Sequence, residues 1–284
     1  MLLQALGPGG FFLSTWPEMM SLTAEYVQPS LQGLALEVRL ARSSSDIEAA
    51  QRLRYQVFYE EMGAVSPENE LRPGIDHDRF DVFCDHLLVI DPTLPQKEAV
   101  VGTYRLMPGS RLTSVGQFYS EGEFDLSPLF ANGPAPDKLL ECGRSCVAAG
   151  YRNSHTVQLL WRGIAAYMAE HGFEAMFGCA SLAGTDARLL AEPLAWLRHQ
   201  ALAPIHLRVS PLAERAVDLA EMPAFIPDRL SALKALQPLI KAYLRLGAWV
   251  GDGAATDKHF DTTDVFILLP TNRIPTRYFT HFER

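Results

Sequence analysis

From Leu34 to Ala41 (LALEVRLA) apolar and polar positions largely alternate, the period of a half-buried strand. Ser45 or Asp46 then stands as a helix N-cap, and Ile47, Ala50, Leu53, Arg54, Val57 and Phe58 recur at helical spacing up to a stop at Gly63. The stretch from Ala64 to Asp81 changes character: it is polar, holds Pro67, Pro73 and Gly74, and gathers Glu68, Glu70, Asp76, Asp78 and Asp81. A loop this long inside a domain is uncommon unless it is disordered or works at a binding site, which makes it a candidate lid. Two apolar runs, His86 to Ile90 and Val100 to Met107, joined by Asp91 to Glu98 with Pro92 and Pro95, predict a β-hairpin. Irregular pieces around Gln117 to Phe130 lead to a strand over Leu139 to Val147 and a helix over His155 to His171 closed by Gly172. A strand over Ala175 to Leu182 and a helix over Asp186 to Gln200 come next. Ile205 to Val209 reads as a strand, Leu230 to Leu246 as a helix despite Pro238, and Asp264 to Leu269 as a last buried strand. With no repeat and no low-complexity linker, this order predicts one α/β domain over residues 34–284, a central mixed β-sheet flanked by helices. Residues 1–33 read as a loose leader, in which Met19 or Met20 is an equally good start.

At 284 residues and 48% apolar, the chain can build a substantial core. Its formal charge of −8 excludes broad nucleic-acid or anionic-membrane binding, both of which need a surplus of Lys and Arg. An acidic partner must therefore meet a local basic patch. Cys84, Cys142, Cys146 and Cys179 fall in apolar runs without CxxC or Cys/His metal spacing and read as buried, reduced thiols, which fits the cytoplasm. No run reaches the roughly 20 apolar residues of a spanning helix. Leu2 to Trp16 is apolar but broken at Gly7 to Gly10 and lacks a basic start, so it is not read as a signal peptide.

The chain holds no Gly-rich dinucleotide or P-loop, no HExxH and no GxSxG. What it does hold is charge where a core would not place it. Arg105 lies inside an apolar strand, and Glu141 and Arg144 interrupt another. Residues three apart on a strand point to opposite faces, so Glu141 and Arg144 share one only across a bulge. The residues alone leave two readings open, a structural ion pair and a reactive centre. Arg54 and Phe58, four apart, share a helical face beside the acidic loop, where Arg54 can fasten that loop through Asp78 or Asp81. His77, His86, His155 and His171 share no spacing and are read as ordinary core or surface residues.

Taken together, RYQVF (Arg54 to Phe58), DRFD (Asp78 to Asp81), VVGTYRL (Val100 to Leu106) and ECGRSCV (Glu141 to Val147) resemble the ordered signature of acyl-homoserine-lactone synthases. Those enzymes have a GNAT-type N-acyltransferase fold and take acyl groups from acyl carrier protein. After residue 35 the chain resembles the ornithine lipid-forming N-acyltransferases more fully. That likeness rests on GYR (Gly150 to Arg152), LLWRGI (Leu159 to Ile164), FGCASL (Phe177 to Leu182), PLIKAYLRLGAW (Pro238 to Trp249) and DVFILLP (Asp264 to Pro270). The resemblance implies transfer of a 3-hydroxyacyl group from acyl carrier protein to the α-amine of L-ornithine, giving lyso-ornithine lipid. It makes Glu141, Arg144 and Arg105 the catalytic candidates and Arg54, Phe58, Asp78 and Asp81 the substrate-binding ones, with the aspartates drawing the cationic side chain. Arg152, Arg162, Lys241 and Arg245 are the expected footing for the acidic carrier protein. No metal and no bound cofactor are expected, the donor's phosphopantetheine being carried by its protein. CoA-using members of the fold carry a Q/R-x-x-G-x-G/A loop for the pyrophosphate; here the segment is Gly150-Tyr151-Arg152-Asn153-Ser154, which favours the carrier protein. Two rivals stay open: an acyl-homoserine-lactone synthase using S-adenosylmethionine, and a non-catalytic acyl-binding protein on the same fold. A peripheral contact of Leu2 to Trp16 with the inner membrane also stays open.

Overall fold

The computed structural model describes residues 36–65, 72–218 and 228–274. The leader, Leu2 to Trp16, Leu34, and Glu68 and Glu70 of the acidic loop lie outside the described residues. The first alternating run becomes β1 (Glu37–Leu40), antiparallel to β2 (Asp85–Ile90), which pairs antiparallel with β3 (Val100–Pro108) as the expected hairpin. β4 (Phe124–Asp125) leaves the sheet to form a ribbon with β7 (Ser210–Pro211). β5 (Leu139–Val147) runs antiparallel to β3 and parallel to β6 (Ala175–Ala183). β10 (Thr262–Pro270) pairs antiparallel with all of β6 and carries β8 (Trp249–Val250) and β9 (Ala255–Asp257). The order β1-β2-β3-β5-β6-β10-β8, with β9 beside β10, is the mixed sheet the pattern predicts.

Period-two alternation sends β2 side chains to both faces of the sheet. Leu88 and Ile90 pack with Ala49, Ala50, Leu53 and Val57 of helix α1 (Ser44–Tyr55) and its π-helical continuation Gln56–Glu61. Leu87 and Val89 instead pack with Leu159, Leu160, Ile164 and Met168 of α2 (Ser154–His171). Helix α1 is capped by Ser43, whose Oγ accepts the Asp46 N–H at 3.2 Å, two or three residues before the expected cap. Helix α2 starts at an Asn153 cap and ends at Gly172, whose φ of 65° is the left-handed turn that glycine adopts at no cost. Helix α3 (Ala187–Ala201) follows β6 as expected.

Two expectations are corrected. Ile205 to Val209 is not a strand: Ile205–Leu207 is a 3-10 turn behind Pro204, and the β pairing starts only at Ser210. Leu230 to Leu246 is not one helix but α4 (Arg229–Ala235) and α5 (Pro238–Arg245). Pro238 has no N–H and restricts the residue before it, so it sits at the start of a new helix rather than inside an old one. The described part of the acidic loop is no free lid, since Ile75, Asp76, Phe80 and Asp81 are all buried.

Between β5 and β6 the parallel ladder runs only from Leu139↔Ala175 to Glu141↔Phe177, although both strands continue past it. The strands touch once more at Gly178, where a Cβ would stand 2.3 Å from the Cys142 carbonyl oxygen, and then part. Opposite, β3 registers Thr103 with Cys146 but Arg105 with Gly143, so Arg144 and Ser145 face Tyr104 alone. This is the bulge that Glu141 and Arg144 require, and Arg144 takes it at φ 50°, a strained value for a residue with a Cβ.

Candidate functional site

Where β5 and β6 diverge, a cleft of about 2860 Å³ opens, with Glu141 to Val147 on one wall and Cys179 to Ser181 on the other. The apolar side chains of Leu160, Trp161, Ile164, Met168 and Met176 line one part of it and Leu233, Leu236 and Leu239 of the α4–α5 pair another. Trp161 packs edge-on to Tyr243 with centroids 5.1 Å apart, and the Tyr243 and Tyr104 hydroxyls meet at 2.6 Å, fixing α5 to β3.

Glu141 lies at the mouth of the divergence and is 4% exposed. Its carboxylate accepts the N–H of Tyr119 at 2.8 Å, the N–H of Ser120 at 2.7 Å and the Ser120 hydroxyl at 2.6 Å. These donors come from a 3-10 turn, Tyr119–Gly122, whose free N–H groups suit an anion. Burial pushes the Glu141 carboxyl above its ordinary range against the pull of those three bonds.

Beside it stands a network of Arg54, Arg105 and Arg144 with Asp76, Asp78 and Asp81. Arg54, fully buried, donates Nε to Asp76 at 2.6 Å and binds both Asp81 oxygens at 2.9 and 2.8 Å. Arg105 Nη1 reaches both Asp78 oxygens at 2.7 Å and Asp81 Oδ1 at 3.0 Å. Gln51 adds a bond to Asp81 at 3.0 Å. Arg54 thus fastens the acidic loop to α1, as its helical position allows, and is not among the cleft's lining residues. Neither are Asp78 and Asp81, which sit behind the arginines with their oxygens engaged. Phe58 does line the cleft, packed edge-on to Phe260 at 5.7 Å.

Arg144 differs from its two neighbours. Its guanidinium lies 4.9 Å from the ring centroids of both Tyr119 and Phe260 and makes only long polar contacts: 3.2 Å to Asp78, 3.4 Å to the Tyr119 hydroxyl and 3.5 Å to Asp76. Its buried Nε makes no hydrogen bond, and it lines the cleft. Arg105 lines it too, 5.5 Å from the Tyr119 ring, with its Nη1 held by Asp78 and Asp81. The expected trio of Glu141, Arg144 and Arg105 therefore lies around one residue, Tyr119, which the sequence did not single out.

On the far side of Ser120 lies a second charged group that was also not singled out. Glu123, Asp257 and Asp264 are each at most 5% exposed. Burial first, then the neighbouring aspartates, pushes Glu123 up to about 8, and burial and Asp257 push Asp264 up to about 6. Glu123, Cys179 and Asp264 are the group among the described residues whose ligand atoms, all within 4.8 Å of one another, suit a metal ion. Burial holds the Cys179 thiol well above its ordinary value, which disfavours the thiolate that a soft metal needs. Asp264 opens an apolar strand much as Glu141 interrupts one, so the same signal was present in the sequence; Glu123 and Asp257 gave none.

Of the expected carrier-protein residues, Lys241 and Arg245 on α5 line the cleft together with Arg229, Lys234 and Arg273. Arg152 lines it as well, but its guanidinium is held by the Val147 carbonyl at 3.0 Å and by Glu61. Arg162 is exposed on α2 and lies outside the lining residues. At the start of α2 the Thr156 N–H is taken by Asn153 Oδ1 at 3.0 Å. All four cysteines are free thiols.

Residues 53–162 match the acetyltransferase (GNAT) domain. Among solved structures, a CoA-dependent acyl-homoserine lactone synthase with SAM and isopentyl-CoA is similar at 13% identity and TM-score 0.48, covering 88% of this chain and 90% of that one. The L-ornithine N(alpha)-acyltransferase of Rhodobacter capsulatus is 43% identical over 253 residues, 88% of this chain and 96% of its own length. Those of Brucella abortus and Rhizobium meliloti are each 46% identical over 87% of this chain, covering 89% and 84% of their own lengths. At this level of identity over nearly the whole of both chains, the chain belongs to the L-ornithine N(alpha)-acyltransferase family.

Proposed function

We propose that this protein transfers a 3-hydroxyacyl group from acyl carrier protein to the α-amine of L-ornithine, forming lyso-ornithine lipid. The observation that carries the reading is the parting of β5 and β6 just past Glu141, in a chain whose relatives are L-ornithine N(alpha)-acyltransferases. Two strand edges released from each other expose N–H and C=O groups that an amide-bearing phosphopantetheine arm can pair with, strand-fashion. The apolar lining from Leu160 to Met176 suits a fatty chain.

In this reading the α-ammonium gives a proton to Glu141, directly or through water. A carboxyl whose affinity for protons is raised by burial is the better base for that step. The free amine attacks the thioester carbon, the C–N bond forms, and the C–S bond breaks as the pantetheine sulfur leaves and takes up the second proton that the nitrogen sheds. Arg144, with capacity left in its guanidinium, holds the α-carboxylate or the developing oxyanion, and strand amides share the latter task. Lys241, Arg245, Arg229, Lys234 and Arg273 at the cleft form the footing for an acidic carrier protein, with Arg152 and Arg162 as outer contacts. The Asn153 cap, occupying the first turn of α2 where a pyrophosphate would sit, supports the carrier protein over CoA. Such a donor and free buried thiols both suit a cytoplasmic enzyme. Among the described residues no helix is long and apolar enough to cross a membrane.

The test is to incubate the protein with 3-hydroxyacyl carrier protein and either single amino acids or S-adenosylmethionine and to identify products by mass spectrometry. Acylornithine is expected. An acyl-homoserine lactone, or bound donor without product, would replace the reading with one of its rivals.

A further inference from the structure

Asp264 is the carboxylate nearest the start of β10 that faces into the cleft, and its Oδ1 has no hydrogen-bond partner. Glu123 Oε2, also buried, is likewise unpartnered. A buried unpaired carboxylate is costly, and the Asp264 carboxylate has beside it within 4.8 Å the Glu123 carboxyl, which burial keeps protonated up to about 8. Asp257, Thr262 and Asp264 line the cleft together with Ser181, which registers opposite Asp264. Arg215 supplies a cationic field that reaches Glu123 but is weaker there than that of either aspartate. Asp257 is partly used, its Oδ1 accepting the N–H of His259 at 2.8 Å. Thr262 and Ser181 bring hydroxyl donors to Asp264, but the cluster is short of positive charge, and Asp257 and Asp264 open it on the side of the cleft.

Its position relative to the reactive centre is fixed by a short relay. The Cys179 thiol donates to Ser120 Oγ at 3.4 Å, and Ser120 Oγ donates to Glu141 at 2.6 Å. Asp264 and Glu123 lie within 4.8 Å of Cys179. Two small side chains therefore separate the cluster from Glu141. On the other flank of Glu141, Arg144 stacks on Tyr119.

We infer that Asp257 and Asp264, backed by Glu123 just behind the cleft wall, form the subsite that receives the side-chain ammonium of a diamino-acid acceptor. This deepens the proposed function and rests on it. An ammonium brings three donors and one positive charge to a cluster in which carboxyl groups outnumber cations, and Asp264 Oδ1 is free to accept one of them. With Arg144 taking the α-carboxylate and the cluster taking the distal nitrogen, the α-amine is the group left beside Glu141. Thr262 and Ser181 complete the polar lining. The aspartates Asp78 and Asp81, already neutralised by arginines, have no such need.

The experiment compares ornithine with norvaline, which is the same acceptor without the distal amine, using 3-hydroxyacyl carrier protein as donor. The wild type, Glu123→Gln and Asp264→Asn are assayed, each checked for folding by circular dichroism. The ratio of kcat/KM for ornithine over norvaline should fall at least about tenfold in either variant, through the ornithine KM. Because a variant can fail to fold, calorimetric titration of the wild type with each amino acid is run in parallel, and its metal content is measured. Ornithine binding well above norvaline in a metal-free protein is expected. A ratio unmoved in folded variants, equal binding of the two acceptors, or a stoichiometric divalent metal lost in the variants would each overturn the subsite. If the wild type instead binds ornithine over norvaline yet forms no acylornithine, it is the acyl-transfer reading that falls.

Discussion

On one side of Glu141, three arginines meet three aspartates in a web of hydrogen bonds between 2.6 and 3.2 Å; on the other, Glu123 and Asp264 keep carboxylate oxygens without a partner. Both groups are buried, and both are made of residue types that resist burial. The first neutralises itself through Arg54 and Arg105, which serve the fold by tying the loop at Asp76 to Asp81 onto α1 and β3, and leaves Arg144 turned to the cleft. The second is left in deficit, and a deficit facing a cleft is a place for something that arrives later. The contrast separates scaffold from recognition more sharply than charge alone, which had pointed to Asp78 and Asp81.

The largest effect should come from breaking the balanced side. Arg54→Met leaves Asp76 and Asp81 buried without their main partner and should cost about 3–5 kcal/mol of stability, read by urea unfolding. A variant as stable as the wild type would take away the network's structural role. Next comes the residue on the seam: Glu141→Gln keeps the shape and the acceptor sites of one oxygen while removing the base, and should lower turnover about a hundredfold or more with the fold intact. Full activity in that variant would remove Glu141 from proton transfer.

The deficit side should show itself in the pH dependence of stability. Glu123 holds its proton up to about 8 in the folded protein, whereas an unfolded glutamate releases it near its ordinary value of roughly 4.3. Between those values the folded state binds more protons than the unfolded one, so the wild type loses stability as pH rises. The groups facing Glu123 are Asp264 on β10, Asp257 on β9, Cys179 on β6 and Arg215 in the loop beside β9. Glu123→Gln should therefore melt a few degrees higher than the wild type at pH 9 and no differently at pH 4. A difference equal at both pH values would place the effect in packing instead. The smallest effect belongs to the rim: with Lys241 and Arg245 both changed to Ala, carrier-protein binding should weaken severalfold at low salt, and the difference should shrink as salt is raised.

The sequence was legible where a pattern repeats or where one residue breaks it. Alternation and helical spacing marked β2, β3, β5, β6, β10 and the helices α1 to α3, because each buries a continuous face. Charges inside apolar strands marked Arg105 and Glu141, and the strand geometry demanded the bulge that Arg144 supplies. Short pieces were not legible: β4, β7, β8 and β9 have two or three residues each and too few positions to show a period. Pro238 was read through rather than as the start of α5, and Ile205 to Leu207 was too brief a run to tell strand from turn. The acidic cluster escaped because Glu123, Cys179, Asp257 and Asp264 come from four separate segments that only the sheet order brings together.

In the proposed reaction one cleft presents the α-amine of a diamino acid to the thioester while holding its distal amine away. Tandem mass spectrometry of the product formed from 3-hydroxyacyl carrier protein and ornithine tests it directly, by locating the amide. Acylation at the α-nitrogen alone, with the side-chain amine free, is the expected product; an amide on the side-chain nitrogen, or a mixture of the two, would overturn this arrangement.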